Sequence, residues 1–455
     1  MGRAKTVAVI GAGYVGLTLS TFLASRGVKT ICVEKDEVKA EKIRRGTPPI
    51  YEVGLEELLR KTLSEHTLEV RTRLDRAGED VDIFFITVGT PVGPDRVPDL
   101  SQVRGAAVDV GDALARRGGG RPLVVLKSTV PPLTTWEVVR PIIEERSGRS
   151  CGEGFHLCFN PEFLREGSAL ADTANPDRII IGAEQKEAAY VLQDFYRELY
   201  APRAIPTIIT NTVNAELTKL ATNAFLAMKI SFINLMARIC ERVEGGDVVE
   251  VARGLGLDPR IGGHFLRAGI GFGGSCLPKD LRALAGSAEK LGLDASLLRA
   301  TLELNDSQRL RVVEMAEAAL GGIDGKRIAL LGLAFKPGTD DVRESPAVGI
   351  ARELSSRGAE VHVHDPKALE SGRQVLGDSV AYHSDLDSCL MESDAAIIAT
   401  EWEEYATLSP SKVKALMRRP LIIDGRRVLD PPVWSAEGFE YYAIGLSHSR
   451  SSTCR

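Results

Sequence analysis

Five groups of residues in this 455-residue chain have types and spacings that could do chemistry. The first is GFGGSCLPKD, residues 271–280, where Cys276 follows Gly271, Gly273 and Gly274, with Lys279 and Asp280 close behind. Glycines let a backbone approach a ligand closely, and a thiol beside a lysine can be reactive. From these residues alone Cys276 could be a small buried hydrophobe, a metal ligand, half of a disulfide or a nucleophile. Cys276 to Arg282 also fits the Cx5R pattern of a phosphatase loop. Such a loop needs its glycines between Cys and Arg, whereas here they precede the Cys and Asp280 would repel an anion. The second group is Lys219 and Asn223, four apart and so on one helix face, in an apolar stretch where an ammonium could stabilise a developing alkoxide. The third is NPEFLREG, in which Glu162 and Glu166 are also four apart, the kind of pair acid–base work uses, though two exposed glutamates on a helix are common. The fourth is KSTVPP, which puts Ser128 and Thr129 at a strand end, where ligands of open α/β sheets lie. The fifth is GAGYVG, from Gly11 through Gly13, Tyr14 and Val15 to Gly16, with Glu34 after the next strand. Here glycines permit a tight turn and close approach to a pyrophosphate. The acid takes ribose hydroxyls and repels a 2′-phosphate, which favours NAD over NADP.

These residues need elements to position them. Buried-type strands are expected at residues 7–10, 30–33, 82–87, 123–127, 157–159 and 177–181, with a helix over 17–24. Strands alternating with helices imply a parallel, doubly wound sheet. From residue 213 the pattern changes to some 30 residues of helical periodicity without Gly or Pro. A helix of that length spans about 45 Å and suits a spine between domains. Strands then return at 327–333, 361–365, 395–400 and 421–424, echoing the first half: VAVIGAG against IALLGLA, ICVEKD against VHVHDP. The fold class is therefore α/β, with two Rossmann-like doubly wound domains joined by a long central helix. The expected boundaries are 1–205, 206–300 and 301–446, with 447–455 as a disordered tail. In the second fold Lys336 and Pro337 stand where later glycines would be. It should not hold a dinucleotide as the first does.

Composition narrows the classes. A formal net charge of −5 argues against nucleic acid as the main partner. No run of 18 apolar residues occurs, so no membrane span is expected. The first strand begins so early that no signal peptide is expected, and the cytoplasm is the expected compartment. Seven cysteines at irregular spacings do not suggest a disulfide framework, and a Cys151–Cys158 bridge is disfavoured in a reducing compartment. His362 and His364 alternate in VHVHDP, but no third ligand is near in sequence, so no metal is expected.

An NAD fold and a thiol nucleophile together suggest oxidation through a thioester. The motifs GAGYVGL, VGTP, KSTVPP, NPEFLREG, ELTKLATNAFLA, DPRIGGHFLRAGIGFGGSCLPKD, LGLAFKPGTDDVRES and DGRRVLD occur in that order over nearly the whole chain. In them the chain resembles the UDP-glucose/GDP-mannose dehydrogenase family. The resemblance implies oxidation of the C6 alcohol of a UDP-sugar to a carboxylate, with two NAD⁺ reduced. It implies Cys276 as the nucleophile, Lys219 and Asn223 as oxyanion stabilisers, Asp280 with Thr129 handling water, and Glu162 assisting hydrolysis. For NAD it implies Gly11, Gly13, Tyr14, Val15, Gly16, Glu34, Lys39, Thr90, Thr129, Glu166 and Arg343; Lys39 stands where relatives often carry another basic residue. For the UDP-sugar it implies Glu162, Phe163, Leu164, Lys219, Asn223, Phe265, Gly271, Phe272, Gly273, Lys336 and Arg426. Arg260 would reach a neighbouring subunit's site, so a homo-oligomer, at least a dimer, is implied. GGSC and NPEFLREG favour glucose over the acetamido sugars, whose enzymes usually carry GGHC. UDP-N-acetylmannosamine or UDP-N-acetylglucosamine is the alternative substrate. A non-catalytic nucleotide-sugar binding protein is the alternative of another class.

Overall fold

The structure is a computed structural model that describes residues 5–74, 80–93 and 98–447. The tail expected from residue 447 lies almost wholly outside them. By its internal contacts the chain divides into two compact units: Met1–Thr222 with Gly286–Leu293, and Asn223–Ala285 with Asp294–Arg455.

The first unit holds an eight-stranded sheet: β1 (Thr6–Ile10), β2 (Lys29–Val33), β3 (Leu68–Arg71), β4 (Ile83–Ile86), β5 (Leu123–Leu126), β6 (His156–Phe159), β7 (Ile179–Gly182) and β8 (Thr207–Thr210), in the order β3-β2-β1-β4-β5-β6-β7-β8. Its first six strands follow the 3-2-1-4-5-6 order of dinucleotide-binding folds. One pairing departs from the expected parallel sheet: β6 and β7 run antiparallel, through Phe159 and Gly182. Because side chains alternate across a strand, Val7 and Val9 join one apolar layer with Phe85 and Val125, while Ala8 and Ile10 join another with Phe84 and Val124. Both faces are covered, so the strands read as continuous apolar runs.

The second unit holds a six-stranded, all-parallel sheet: β9 (Arg327–Leu331), β10 (Glu360–His364), β11 (Ala381–His383), β12 (Ala395–Ile398), β13 (Leu421–Asp424) and β14 (Glu440–Ala443), ordered β11-β10-β9-β12-β13-β14. This is the same 3-2-1-4-5-6 order. Four strands were not expected from the sequence: β3, β8, β11 and β14 lie at the ends of their sheets and carry half-buried or exposed positions, so none has the continuous buried run that marks a central strand.

The long helix, Thr212–Cys240, runs 29 residues from the first unit into the second. Its most apolar 18-residue window has a mean hydropathy of 1.4, so by length and composition the helix could cross a membrane, although charged and polar residues interrupt its apolar run. Yet Glu216, Lys219, Asn223, Ser231 and Asn234 on it are all buried. Burying five polar side chains is the mark of a helix in a protein core, since each must find a partner there.

Candidate active site

The nucleotide turn of the first unit is built by sterics. Gly11 has φ +99°, a left-handed conformation that favours glycine. A Cβ on Gly16 would stand 1.7 Å from the Gly11 carbonyl oxygen and 2.5 Å from Thr87 Oγ1. Only glycine lets the helix Tyr14–Ser25 pass so close to β1. A Cβ on Gly13, by contrast, would meet nothing within 4 Å, so the chain is open on that side. Glu34, just past β2, accepts from Ala12 N–H at 3.2 Å through Oε2 and from Asp36 N–H at 3.0 Å through Oε1. A carboxylate can accept about four hydrogen bonds, so capacity remains for two ribose hydroxyls. This open cradle and acid fit NAD. Lys39 is exposed in the first turn of a helix capped by Asp36.

Beyond the ends of β5 and β6 lies a buried charged cluster. Glu162 and Lys219 pair at 2.8 Å, with 8% and 4% of their side chains exposed. The ammonium on the apolar helix therefore has its counter-ion, as burial demands. Glu162 also accepts from Leu164 N–H at 2.9 Å. Two cations meet the Phe163 ring: Arg178 is 3.9 Å and Lys219 Nζ 5.3 Å from its centroid. Glu162 and Glu166 are both buried and lie in an irregular segment, so the alternative of two exposed glutamates on a helix does not apply to them. Thr90 Oγ1 donates to the Thr129 carbonyl at 2.8 Å, fixing the KSTVPP turn, and Ser128 Oγ donates to Val88 O at 2.7 Å.

The second unit carries the thiol. Cys276 is exposed, and its carbonyl accepts from Asp280 N–H at 2.9 Å. It thus opens the helix Leu277–Lys290, at the end where negative charge is favoured. Asp280, 1% exposed, accepts from Asn223 Nδ2 at 2.5 Å and from Lys279 Nζ at 2.6 Å. The lysine expected to act on the thiol is thus bonded to Asp280. The preceding glycines are set by packing within the unit. A Cβ on Gly273 would stand 2.3 Å from the Glu344 carbonyl oxygen, and one on Gly274 2.8 Å from the Phe335 ring. Asn305 clamps Phe272 from both sides, accepting its N–H at 2.7 Å and donating to its carbonyl at 3.0 Å. Arg426 joins this loop to the second sheet, donating to Gly271 O at 3.4 Å and to Ala399 O at 2.8 Å. Phe265 holds φ +64° at the loop's approach, and Lys336 Nζ is 5.5 Å from the Phe335 ring centroid.

Two expected residues have other partners. Arg343 is forked onto Asp341 at 2.6 and 2.9 Å. Arg260, at the surface, is forked onto Asp258 at 2.6 and 3.0 Å. None of the six described cysteines is in a disulfide, and burial pushes the Cys151 thiol up to about 11. His362 and His364 part company: His362 Nδ1 meets His383 Nε2 at 2.7 Å, and His364 Nδ1 meets Tyr405 Oη at 2.9 Å.

Sequence reasoning missed three groups. Lys127 and Asn160 lie inside quoted motifs but have no distinguishing spacing. Glu216 lies one turn before Lys219 and is fully buried. It accepts from Leu133 N–H at 2.6 Å, and from Thr135 N–H at 2.8 Å and Oγ1 at 2.6 Å. Burial, opposed by those bonds, pushes its carboxyl up to about 7.

Known proteins match this chain over nearly its whole length. The NAD binding, central and UDP binding domains of the UDP-glucose/GDP-mannose dehydrogenase family match residues 5–200, 213–307 and 329–431. The UDP-glucose 6-dehydrogenase TuaD of Bacillus subtilis is 43% identical over 97% of this chain and 93% of its own length. A UDP-glucose 6-dehydrogenase of Pseudomonas aeruginosa is 40% identical over 98% of both. A solved UDP-glucose dehydrogenase from Pyrobaculum islandicum superposes with a TM-score of 0.89 at 41% identity, covering 98% of each chain. With three domain matches in order and such relatives end to end, the chain belongs to the UDP-glucose/GDP-mannose dehydrogenase family.

Proposed function

We propose that this protein is an NAD-dependent UDP-glucose 6-dehydrogenase, oxidising the C6 alcohol of UDP-glucose to the carboxylate of UDP-glucuronate. The observation that carries the proposal is the arrangement around Cys276: an exposed thiol at a helix N-terminus, with buried Asp280 one turn on and held by Asn223. A thiol nucleophile with no oxidation to serve would need neither an NAD fold nor a buried acid beside it.

Gly11–Gly16, Glu34, Lys39, Thr90, Thr129, Glu166 and Arg343 would hold NAD, which would supply the acceptor for the hydride lost from C6 in each of two oxidations. The remaining work falls to side chains. Cys276 Sγ attacks the C6 aldehyde and forms a C–S bond, giving a thiohemiacetal. Loss of the second hydride turns this into a thioester. Water then breaks the C–S bond, releasing the carboxylate and restoring the thiol. Lys219 and Asn223, one turn apart on a helix, hold the negative charge that develops on the substrate oxygen. Asp280 accepts one hydrogen bond per oxygen from Asn223 and Lys279, which leaves it acceptor capacity for the attacking water, with Thr129 beside it in role. Glu162 assists hydrolysis. Glu162, Phe163, Leu164, Phe265, Gly271, Phe272, Gly273, Lys336 and Arg426 bind the UDP-sugar, and Arg260 serves a neighbouring subunit.

The proposed division of labour is 1–205 for NAD, 206–300 for the helical dimerisation domain with the thiol loop, and 301–446 for UDP-sugar. A homodimer is supported by Phe225, Phe232, Leu235 and Ile239, which are 58, 50, 40 and 48% exposed at heptad-like spacing along one helix face. A reducing compartment such as the cytoplasm suits a mechanism that needs Cys276 as a thiol.

Cys276→Ser tests the reading. UDP-glucose binding should persist, while UDP-glucuronate formation falls by at least about a thousandfold. Acid formation surviving the change would refute the thioester route. Faster turnover with a UDP-N-acetyl sugar than with UDP-glucose would reassign the substrate.

A further inference from the structure

One lysine near the charged cluster has no part in the chemistry so far. Lys127 is the first residue after β5. Its Nζ donates to Asn160 Oδ1 at 2.8 Å and to the Asn160 carbonyl at 3.4 Å. Asn160 is the first residue after the neighbouring strand β6. Its Oδ1 also accepts from Tyr196 Oη at 2.6 Å, and its Nδ2 donates to Ile180 O of β7 at 2.8 Å. One amide thus ties the end of β5 to β6, β7 and the helix Lys186–Tyr200. Two residues beyond Asn160 stands Glu162, which pairs with Lys219 at 2.8 Å.

We propose that Lys127 is a positioning residue for the Glu162–Lys219 pair. It fixes the backbone that delivers Glu162, and its ammonium makes the cluster of two ammoniums and one carboxylate net positive. The proposal rests on the reading of Glu162 and Lys219 as groups that act on substrate.

Glu162 and Lys219 cancel, so Lys127 supplies the excess. An excess cation away from water is unfavourable unless it has something to stabilise, and a developing alkoxide is such a partner. Burial is the main influence on Lys127. Glu162 opposes it, the Lys219 ammonium adds to it, and together they bring the lysine down to about 8. Among the described residues the ionisable groups around it include Glu162, Lys219 and, through Asn160, Tyr196, whose phenol burial holds well above its ordinary range and so neutral, while the Arg178 guanidinium stacks on Phe163 beside the pair. When Lys127 loses its proton the Glu162–Lys219–Lys127 trio loses its excess positive charge, and the step that builds negative charge on oxygen slows.

The test is kcat and KM for wild type, Lys127→Met and Lys127→Arg from about pH 6 to about pH 10. Wild-type kcat is expected to fall on the alkaline side with a midpoint near about 8. In K127M kcat should drop at least about tenfold, with no such limb and with KM for NAD within about threefold. In K127R, whose charge does not titrate in this range, the limb should also be absent. A merely structural lysine would not move the pH profile. A wild type without the limb, a limb persisting in K127R, or wild-type kcat in K127M each overturns the proposal, and the K127R result decides even where K127M does not fold. A wild type that makes no UDP-glucuronate removes the reading of the site itself. One that makes it, with the limb unchanged in K127R, removes only the role of Lys127.

Discussion

The ends of β2 and β10 occupy the same place in two sheets of the same strand order, and each carries an acid. The turn before each is built alike: Gly11 at φ +99° and Gly332 at φ +105° follow the first strand of their sheets. In the first fold, Glu34 takes one backbone N–H on each oxygen. In the second, Asp365 takes five donors. Oδ2 accepts from Leu333 N–H at 2.7 Å, Ala334 N–H at 3.0 Å and Trp402 Nε1–H at 3.2 Å, and Oδ1 accepts from Lys367 and Ala368 N–H at 2.8 Å each. The first acid keeps capacity for a ligand, while the second is spent on its own fold. Where the first fold has Gly13 and Gly16, the second has Ala334 and Pro337. One architecture carries an acid open to a dinucleotide in one copy and an acid satisfied by its own fold in the other.

Substitutions can break this contrast. The largest effect is expected at Gly16→Ala, whose Cβ would stand 1.7 Å from a backbone oxygen. NAD affinity should fall at least about a hundredfold and stability by about 3 kcal/mol, read by NAD titration and urea unfolding. Pro337→Ala at the matching position should leave NAD affinity unchanged. Next comes Asp365→Ala, which leaves five donors without their acceptor. It should cost on the order of 4 kcal/mol of stability with little change in KM for NAD. Smaller is Glu34→Ala, which should cost under about 1 kcal/mol but weaken NAD about tenfold and narrow the preference for NAD over NADP. If Glu34→Ala unfolded the protein while Asp365→Ala left it stable, the two acids would have been assigned the wrong way round.

What could be read in advance follows the same contrast. GAGYVG and Glu34 announce themselves because sterics confine both glycine and acid to fixed offsets from a strand. The helix Thr212–Cys240 is equally plain, since its apolar spacing runs unbroken for eight turns. Asp365 is invisible as a knot, because its partners Leu333 and Trp402 give nothing but backbone or indole N–H groups from distant segments. The Glu162–Lys219 and Asn223–Asp280 pairs join residues far apart in sequence, so no local spacing marks them. The glycines before Cys276 show how a right signal can have a second cause. They permit close approach, but Gly273 and Gly274 are approached by Glu344, Pro346 and Phe335 of their own unit.

The most direct measurement of the proposed chemistry is the NADH formed per UDP-glucose consumed by the wild-type protein. Two hydrides leave C6 on the way to the acid, so a ratio of about two is expected, with UDP-glucuronate as the product. A ratio of about one, with the aldehyde accumulating, would contradict a thioester on Cys276.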